Sequence, residues 1–223
     1  MPSNKTFETA AELPHVIPVF PLAGAILLPR ADLPLNIFEP RYLAMADDAL
    51  KSDRFIGIIQ PDPKATAASR KSALASVGCA GRLTHWAETG DGRVQIALTG
   101  IARFRVETEL AVLTPYRRCQ VSYAGFEADL IKDPNEAMVD RKALVSALRA
   151  FSKARRFGVD WKAVETSSNE DLVNTLTLMC PYGPPEKQAL LEASDLQARA
   201  DMLVALTEIE LANSGDGPRP ALQ

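Results

Sequence analysis

The stretch I-P-V-F-P-L-A-G-A-I-L-L-P-R-A-D-L-P-L-N-I-F-E-P-R-Y, Ile17 to Tyr42, decides how this chain is read. Six of its sixteen prolines fall nearby, at Pro14, Pro18, Pro21, Pro29, Pro34 and Pro40. Proline fixes φ and removes a backbone donor, so it is excluded from central strands and helix interiors. Apolar segments interrupted this regularly read as edge strands and turns. The pattern changes at Pro40: Arg41 to Lys51 reads as a helix, with proline at the first position, where no intrahelical N–H is needed.

Working outward, a period of two takes over. Phe55–Ile59 is almost continuously apolar, as in a strand covered on both faces. Val77, Cys79, Gly81 and Leu83 alternate with Gly78, Ala80, Arg82 and Thr84. Val94, Ile96 and Leu98 alternate with more polar neighbours. Between these runs lies T-G-D-G, and Asp91–Gly92 is a hairpin signal because tight β turns need positive φ. Phe104 and Val106, then Cys119, Val121 and Tyr123, continue the alternation. Arg103, Arg105, Arg117 and Arg118 read as a solvated face. Pro61–Leu74 has neither period and little to bury, and reads as a mobile, disordered loop.

From Gly125–Asp133 onward the signals are helical. Asp133-Pro134-Asn135-Glu136 matches a cap, an N1 proline and an N3 glutamate. Leu144, Ala147, Leu148 and Phe151 form the stripe of the helix that follows, and Gly158 is its expected stop. Ser168-x-x-Asp171 opens a second helix, with Leu172, Leu176 and Met179 facing one way. Pro184–Pro185 starts a short one running to Ala193, and Ser194-x-x-Gln197 caps a last. The expected architecture is α+β: a β-rich lobe over 13–125 with one early helix, then a helical bundle over 133–212. Residues 1–12 and 213–223 are expected to be disordered tails.

In order and spacing, these pieces resemble one family. P-V-F-P-L, then L-P at Leu28–Pro29, then L-P-L-N-I-F-E-P-R-Y are similar to the amino-terminal substrate-binding domain of the Lon proteases, in its stand-alone bacterial form. V-G-C-A-G-R-L (Val77–Leu83) and V-Q-I-A-L-T-G-I-A-R-F-R-V (Val94–Val106) extend the likeness to roughly residues 14–212. The resemblance implies a PUA-like, twisted and barrel-like β lobe of the Lon N-domain type followed by helices. It also implies a role in protein quality control, with engagement of polypeptide substrates and help in assembling the oligomer.

The chain of 223 residues has a net charge of −3 with mixed signs and 47% apolar residues. That suffices for a buried core and offers no basic stripe for a phosphate backbone, so nucleic acid is not expected as a partner. No apolar run reaches the roughly 18 residues of a membrane span. The first residues lack the order of a signal peptide, and three scattered cysteines argue against a disulfide framework. The cytoplasm is the expected compartment, and no membrane partner is expected.

The search for chemistry returns negatives. No phosphate-binding loop or dinucleotide fingerprint is present, and no ATPase or peptidase module is expected within 223 residues. His15 and His85 have no partner at ligand spacing, and Cys79 lies about 20 Å along the strand from His85 at strand rise. No nucleophile–base pair is readable. No catalytic residue, cofactor or metal is therefore expected.

What remains is binding. Candidate peptide contacts are Asn36, Glu39, Arg41, Tyr42 and Trp86. Glu39 and Arg41 read either as a local ion pair or helix-start carboxylate, or as a polar lip on a peptide groove. Trp86, beside the hairpin, reads as a partly exposed contact. Phe20, Phe38, Tyr42, Phe55, Phe104 and Phe151 read as core. The favoured reading is a non-catalytic module for unfolded or extended polypeptide, working with a separate protease or through self-association. The route is a cleft between the lobes or strand addition to an edge within 17–36. The alternative is a small-molecule-binding module built on the same β core.

Overall fold

The computed structural model describes residues 6–62, 73–131 and 136–213. Six strands, β1 (Val16–Pro21), β2 (Asp32–Ile37), β3 (Phe55–Pro61), β4 (Leu74–Glu88), β5 (Val94–Glu109) and β6 (Arg117–Ser122), form one mixed sheet. The order is β2-β5-β4-β3-β1-β6, and β6 also pairs with β5, so five strands return on themselves while β2 hangs from β5. β1 runs parallel to β3, and the remaining pairings are antiparallel. The fold class is thus α+β, a six-stranded sheet followed by helices.

The prolines occupy positions the pairing tolerates. Pro18 lies one residue before the β1–β3 register opens at Val19↔Gly57, and Pro21 ends the strand. β1 is therefore interior, held by β3 and β6, contrary to its reading as an edge. Only β2 within the proline-rich stretch is an edge. The core gathers Ile17, Val19, Phe55, Ile59, Phe104 and Val121. Gly78 makes room for the Phe104 ring, since a Cβ there would lie 2.6 Å from Cζ.

At the β4–β5 hairpin Gly90 and Gly92 take φ of 80° and 81°, as the D-G signal requires. The Asp91 carboxylate accepts from the Thr89 hydroxyl and from the Arg93 amide. The Thr89 bond is the main reason its pKa lies below the ordinary carboxylate range.

Helix α1 (Pro40–Leu50) begins with Pro40 at its first turn. Of the expected amino-terminal tail, residues 6–12 are folded onto the sheet unit, and residues 1–5 lie outside those described. Ala10–Glu12 form a short 3-10 turn, closed where Glu12 accepts from the amides of Glu8 and Thr9. Phe7 meets Phe55 edge-on at 5.4 Å between centroids, and burying that ring is what secures the segment. Of the expected mobile loop 61–74, residues 63–72 lie outside those described, as do 132–135 and 214–223.

The remaining helices are α2 (Arg141–Arg155), α3 (Trp161–Thr166), α4 (Asn169–Met179), α5 (Pro184–Glu192) and α6 (Leu196–Asn213). The chain separates into two compact units, one of residues 1–132 with 182–191 and one of 133–181 with 192–223. The short helix expected in the bundle therefore belongs with the sheet. Gln60 Nε2 donates to Pro184 O at 2.9 Å and Gln188 Nε2 to Val77 O at 3.0 Å, which anchors α5 there.

In the second unit α6 packs on α2 and α4, burying Leu144, Leu148, Phe151, Leu172 and Leu203. Asp140 caps α2, the expected cap Asp133 lying outside the described residues, and Ser168 caps α4 as its spacing required. Asp195 caps α6 in place of Ser194. Arg156 supplies the left-handed C-cap of α2 (φ 55°) instead of Gly158. Met179 is exposed, not inward.

Candidate functional site

The corner where β2 enters α1 carries four of the five residues singled out from sequence. β2 alternates strictly: Leu33, Leu35 and Ile37 turn inward, while Asp32, Pro34 and Asn36 are exposed. Phe38 follows Ile37 and takes the outward phase, at 63% exposed. Its assignment to the core is corrected here, because an extended backbone carries alternation through residue 38 and across Glu39 (φ −72°, ψ 131°).

Glu39 is the N-cap of α1, but its carboxylate does not cap. It accepts instead from Arg41, at 2.9 Å from Nε and 2.8 Å from Nη2. Its backbone carbonyl takes the amides of Tyr42 and Leu43. The Arg41 guanidinium lies 4.5 Å from the Tyr42 ring centre. That ring is 7% exposed and stacks on Phe20 with centroids 4.0 Å apart. Burial pushes the Tyr42 phenol up, opposed by Arg41. Tyr42 is thus the floor of the corner, while Asn36, Phe38, Glu39 and Arg41 form its surface.

The hydrogen-bond phase of β2 follows from two contacts. Gly100 N donates to Ala31 O at 2.9 Å, and Asp32 lies opposite Thr99. In an antiparallel ladder this turns Leu33, Leu35 and Ile37 toward β5 and aims Asp32, Pro34 and Asn36 at the free edge. Pro34 is tolerated because the donor it lacks would have faced away from the sheet.

Trp86 does not join this corner. It is half-buried in the row Leu35–Ile96–Trp86, whereas Asn36 shares the adjacent row with Gln95 and Ala87 on the opposite face. His85 lies in the Pro34–Ala97 row and is exposed.

Sequence reasoning missed a buried charge node. Arg103, read as solvated, is 4% exposed. Its Nε and Nη2 each donate to Asp129 at 2.8 Å, and its Nη1 donates to Leu191 O at 3.2 Å. Phe126 lies under the guanidinium at 4.8 Å. Arg103 therefore ties β5 to the turn Glu127–Leu130 and to α5, a structural task. The alternation carried no signal for it: Arg103 shares its phase with Ile101 and exposed Arg105, opposite to the inward row of Leu98, Ala102 and Phe104.

A cavity of about 160 Å³ in the same unit is lined by Phe7, Glu12, Leu13, Asp53, Phe55 and Arg82. Among the described residues no group of three His, Cys, Asp or Glu side chains could hold a metal ion. The three cysteines are buried, and burial pushes the Cys119 thiol up to about 11. No helix among those residues is long and apolar enough to cross a membrane. The chemistry the corner offers is recognition: backbone donors and acceptors on an open edge, one exposed aromatic ring and one ion pair.

The family model for the ATP-dependent protease La (LON) substrate-binding domain matches residues 16–208, and the chain belongs to this family. Lon protease 2 of Sorangium cellulosum is 26% identical over 207 residues, covering 87% of this chain and 25% of its own length. Lon protease 2 of Thermus thermophilus is 25% identical, with 90% and 25% covered. The chain thus spans about a quarter of these curated relatives. A crystal structure of a Lon N-terminal domain protein from Xanthomonas campestris shares the fold, with TM-score 0.56 at 21% identity over 85% of this chain and 97% of that one. So does the N-terminal domain of a Mycobacterium avium complex Lon protease, with TM-score 0.61 at 17% identity over 86% and 97%.

Proposed function

We propose that this chain is a non-catalytic module that binds unfolded or extended polypeptide at the β2–α1 corner. The observation that carries the reading is Phe38, a largely exposed aromatic ring beside an open strand edge in a chain of the substrate-binding family. An aromatic ring adds contact area with little side-chain entropy to lose. Asn36 and the Glu39–Arg41 pair form a polar rim around it, and Tyr42 supports Arg41 from beneath. Trp86 backs the row behind Leu35 and contributes indirectly. The part of Lon proteases that this chain matches is the substrate-binding part, so neither ATP hydrolysis nor peptide cleavage is expected of it. Handing captured segments to a separate protease in the cytoplasm is consistent with that role.

The small-ligand alternative has less support. The cavity beside Arg82, about 160 Å³, is small against the roughly 300–1,000 Å³ of ordinary ligand pockets.

The test is fluorescence anisotropy with labelled, reduced and carboxymethylated α-lactalbumin, which cannot refold. The parent chain should bind, Phe38→Ala should weaken binding about tenfold or more, and Arg41→Ala should weaken it less. A parent that does not bind, or two variants that bind like the parent, would remove this reading.

A further inference from the structure

We infer that the corner captures its partner by strand addition, the partner lying antiparallel along the free edge of β2 as a segment with apolar residues at alternate positions. The inference rests on the proposed polypeptide-binding role and specifies how the contact is made.

The edge presents a defined set of backbone groups. Asp32 and Asn36 each aim an N–H and a C=O outward, and Pro34 aims a C=O alone. An antiparallel segment would satisfy all five groups, exchanging paired bonds with Asp32 and Asn36 and donating one bond to Pro34. No side chain of the partner enters this pattern, so the edge reads extension and not identity.

Side chains supply the second element. Partner residues opposite Leu33 and Leu35 would fall on the inner face, where both leucines are only half-buried. Residues opposite Asp32, Pro34 and Asn36 would face solvent. The edge therefore favours an apolar–polar alternation, which is what an unfolded β-strand exposes. Beyond Asn36 the strand ends on exposed Phe38, placed to cover the amino-terminal end of an antiparallel segment.

The occupant is another polypeptide and not a second copy of this chain. Two β2 strands paired in the centred register about a two-fold axis would set Pro34 against Pro34, where neither has a donor. The proline thus removes one self-pairing position while costing an incoming segment a single bond.

Three variants separate backbone recognition from side-chain recognition, read by anisotropy with carboxymethylated α-lactalbumin and by sedimentation. Asn36→Pro deletes the outward donor without touching the β2–β5 ladder and should weaken binding about three- to tenfold. Asn36→Ala keeps the donor and removes only the rim amide, so it should lose about twofold at most, clearly less than Asn36→Pro. Pro34→Val restores a donor and should tighten binding by a similar factor. That arm decides even if Asn36→Pro fails to fold.

Equal losses for Asn36→Ala and Asn36→Pro, or no gain for Pro34→Val, would overturn strand addition. So would dimerisation of Pro34→Val without tighter polypeptide binding. If Phe38→Ala still weakens capture in those cases, the corner keeps its role and only the mode is wrong. If the parent binds nothing, the function itself fails.

Discussion

Phe20 and Tyr42 stack with ring centroids 4.0 Å apart, and this contact fixes the first turn of α1 against β1. Phe38, four residues earlier, takes no part in the core. Tyr42→Ala should therefore destabilise the protein by about 3 kcal/mol or more, whereas Phe38→Ala should stay within about 0.5 kcal/mol of the parent. Urea unfolding of the two variants checks both. Matching losses would return Phe38 to the core.

Arg41 lies on the surface of the same corner, and its pairing with Glu39 is solvent-exposed on both sides. Such pairs contribute little, typically under about 1 kcal/mol. Arg41→Ala should hence leave the thermal midpoint nearly unchanged, and calorimetry in low and moderate salt should give the same answer.

The buried node behaves in the opposite way. Asp129 neutralises Arg103 where both side chains are almost fully enclosed. Asp129→Ala would leave a buried cation without its counter-ion, at a cost of about 3–5 kcal/mol. Equilibrium unfolding should report that loss together with proteolytic release of α5, whose Leu191 carbonyl shares the guanidinium.

Stability should also respond to alkali. Tyr116 is pushed up to about 12 by burial and by its bond to Asp48, made at 2.6 Å. Its folded pKa lies above the ordinary value near 10, so the phenol's contribution is complete below pH 10. It declines between about pH 10 and 12, where the unfolded chain releases the proton first. Cys119 adds to the same decline from about pH 9 to 11. Denaturant midpoints should be flat near neutrality and fall across this window, with a shallower fall for Tyr116→Phe.

Much of this molecule was legible from local chemistry. The D-G hairpin, the proline at the start of α1, the Ser168 cap and the strand alternation all depend on residues close in sequence. The alternation even contained the answer for Phe38, since Leu33, Leu35 and Ile37 inward leaves residue 38 outward. Apolar character outweighed phase in that reading. What stayed hidden depends on distant pairing. β1 and β2 carry similar prolines, and only the strand order makes one interior and the other an edge. Arg103 finds Asp129 across a separate turn. α5 looks like any short helix until Gln60 and Val77 hold it. Asn36 and Trp86, both polar-edged candidates, part company because a β bulge between Leu83 and His85 resets which residues share a face.

Polypeptide contact at the β2–α1 corner can be read by site-specific photocrosslinking. Benzoylphenylalanine would replace Phe38 in one protein and Phe157, exposed on the second unit, in another. Each would be irradiated with carboxymethylated α-lactalbumin, with unlabelled polypeptide as competitor. Competable adducts should form at position 38 and few at position 157. Equal labelling at both positions, or adducts at position 157 alone, would contradict contact at this corner.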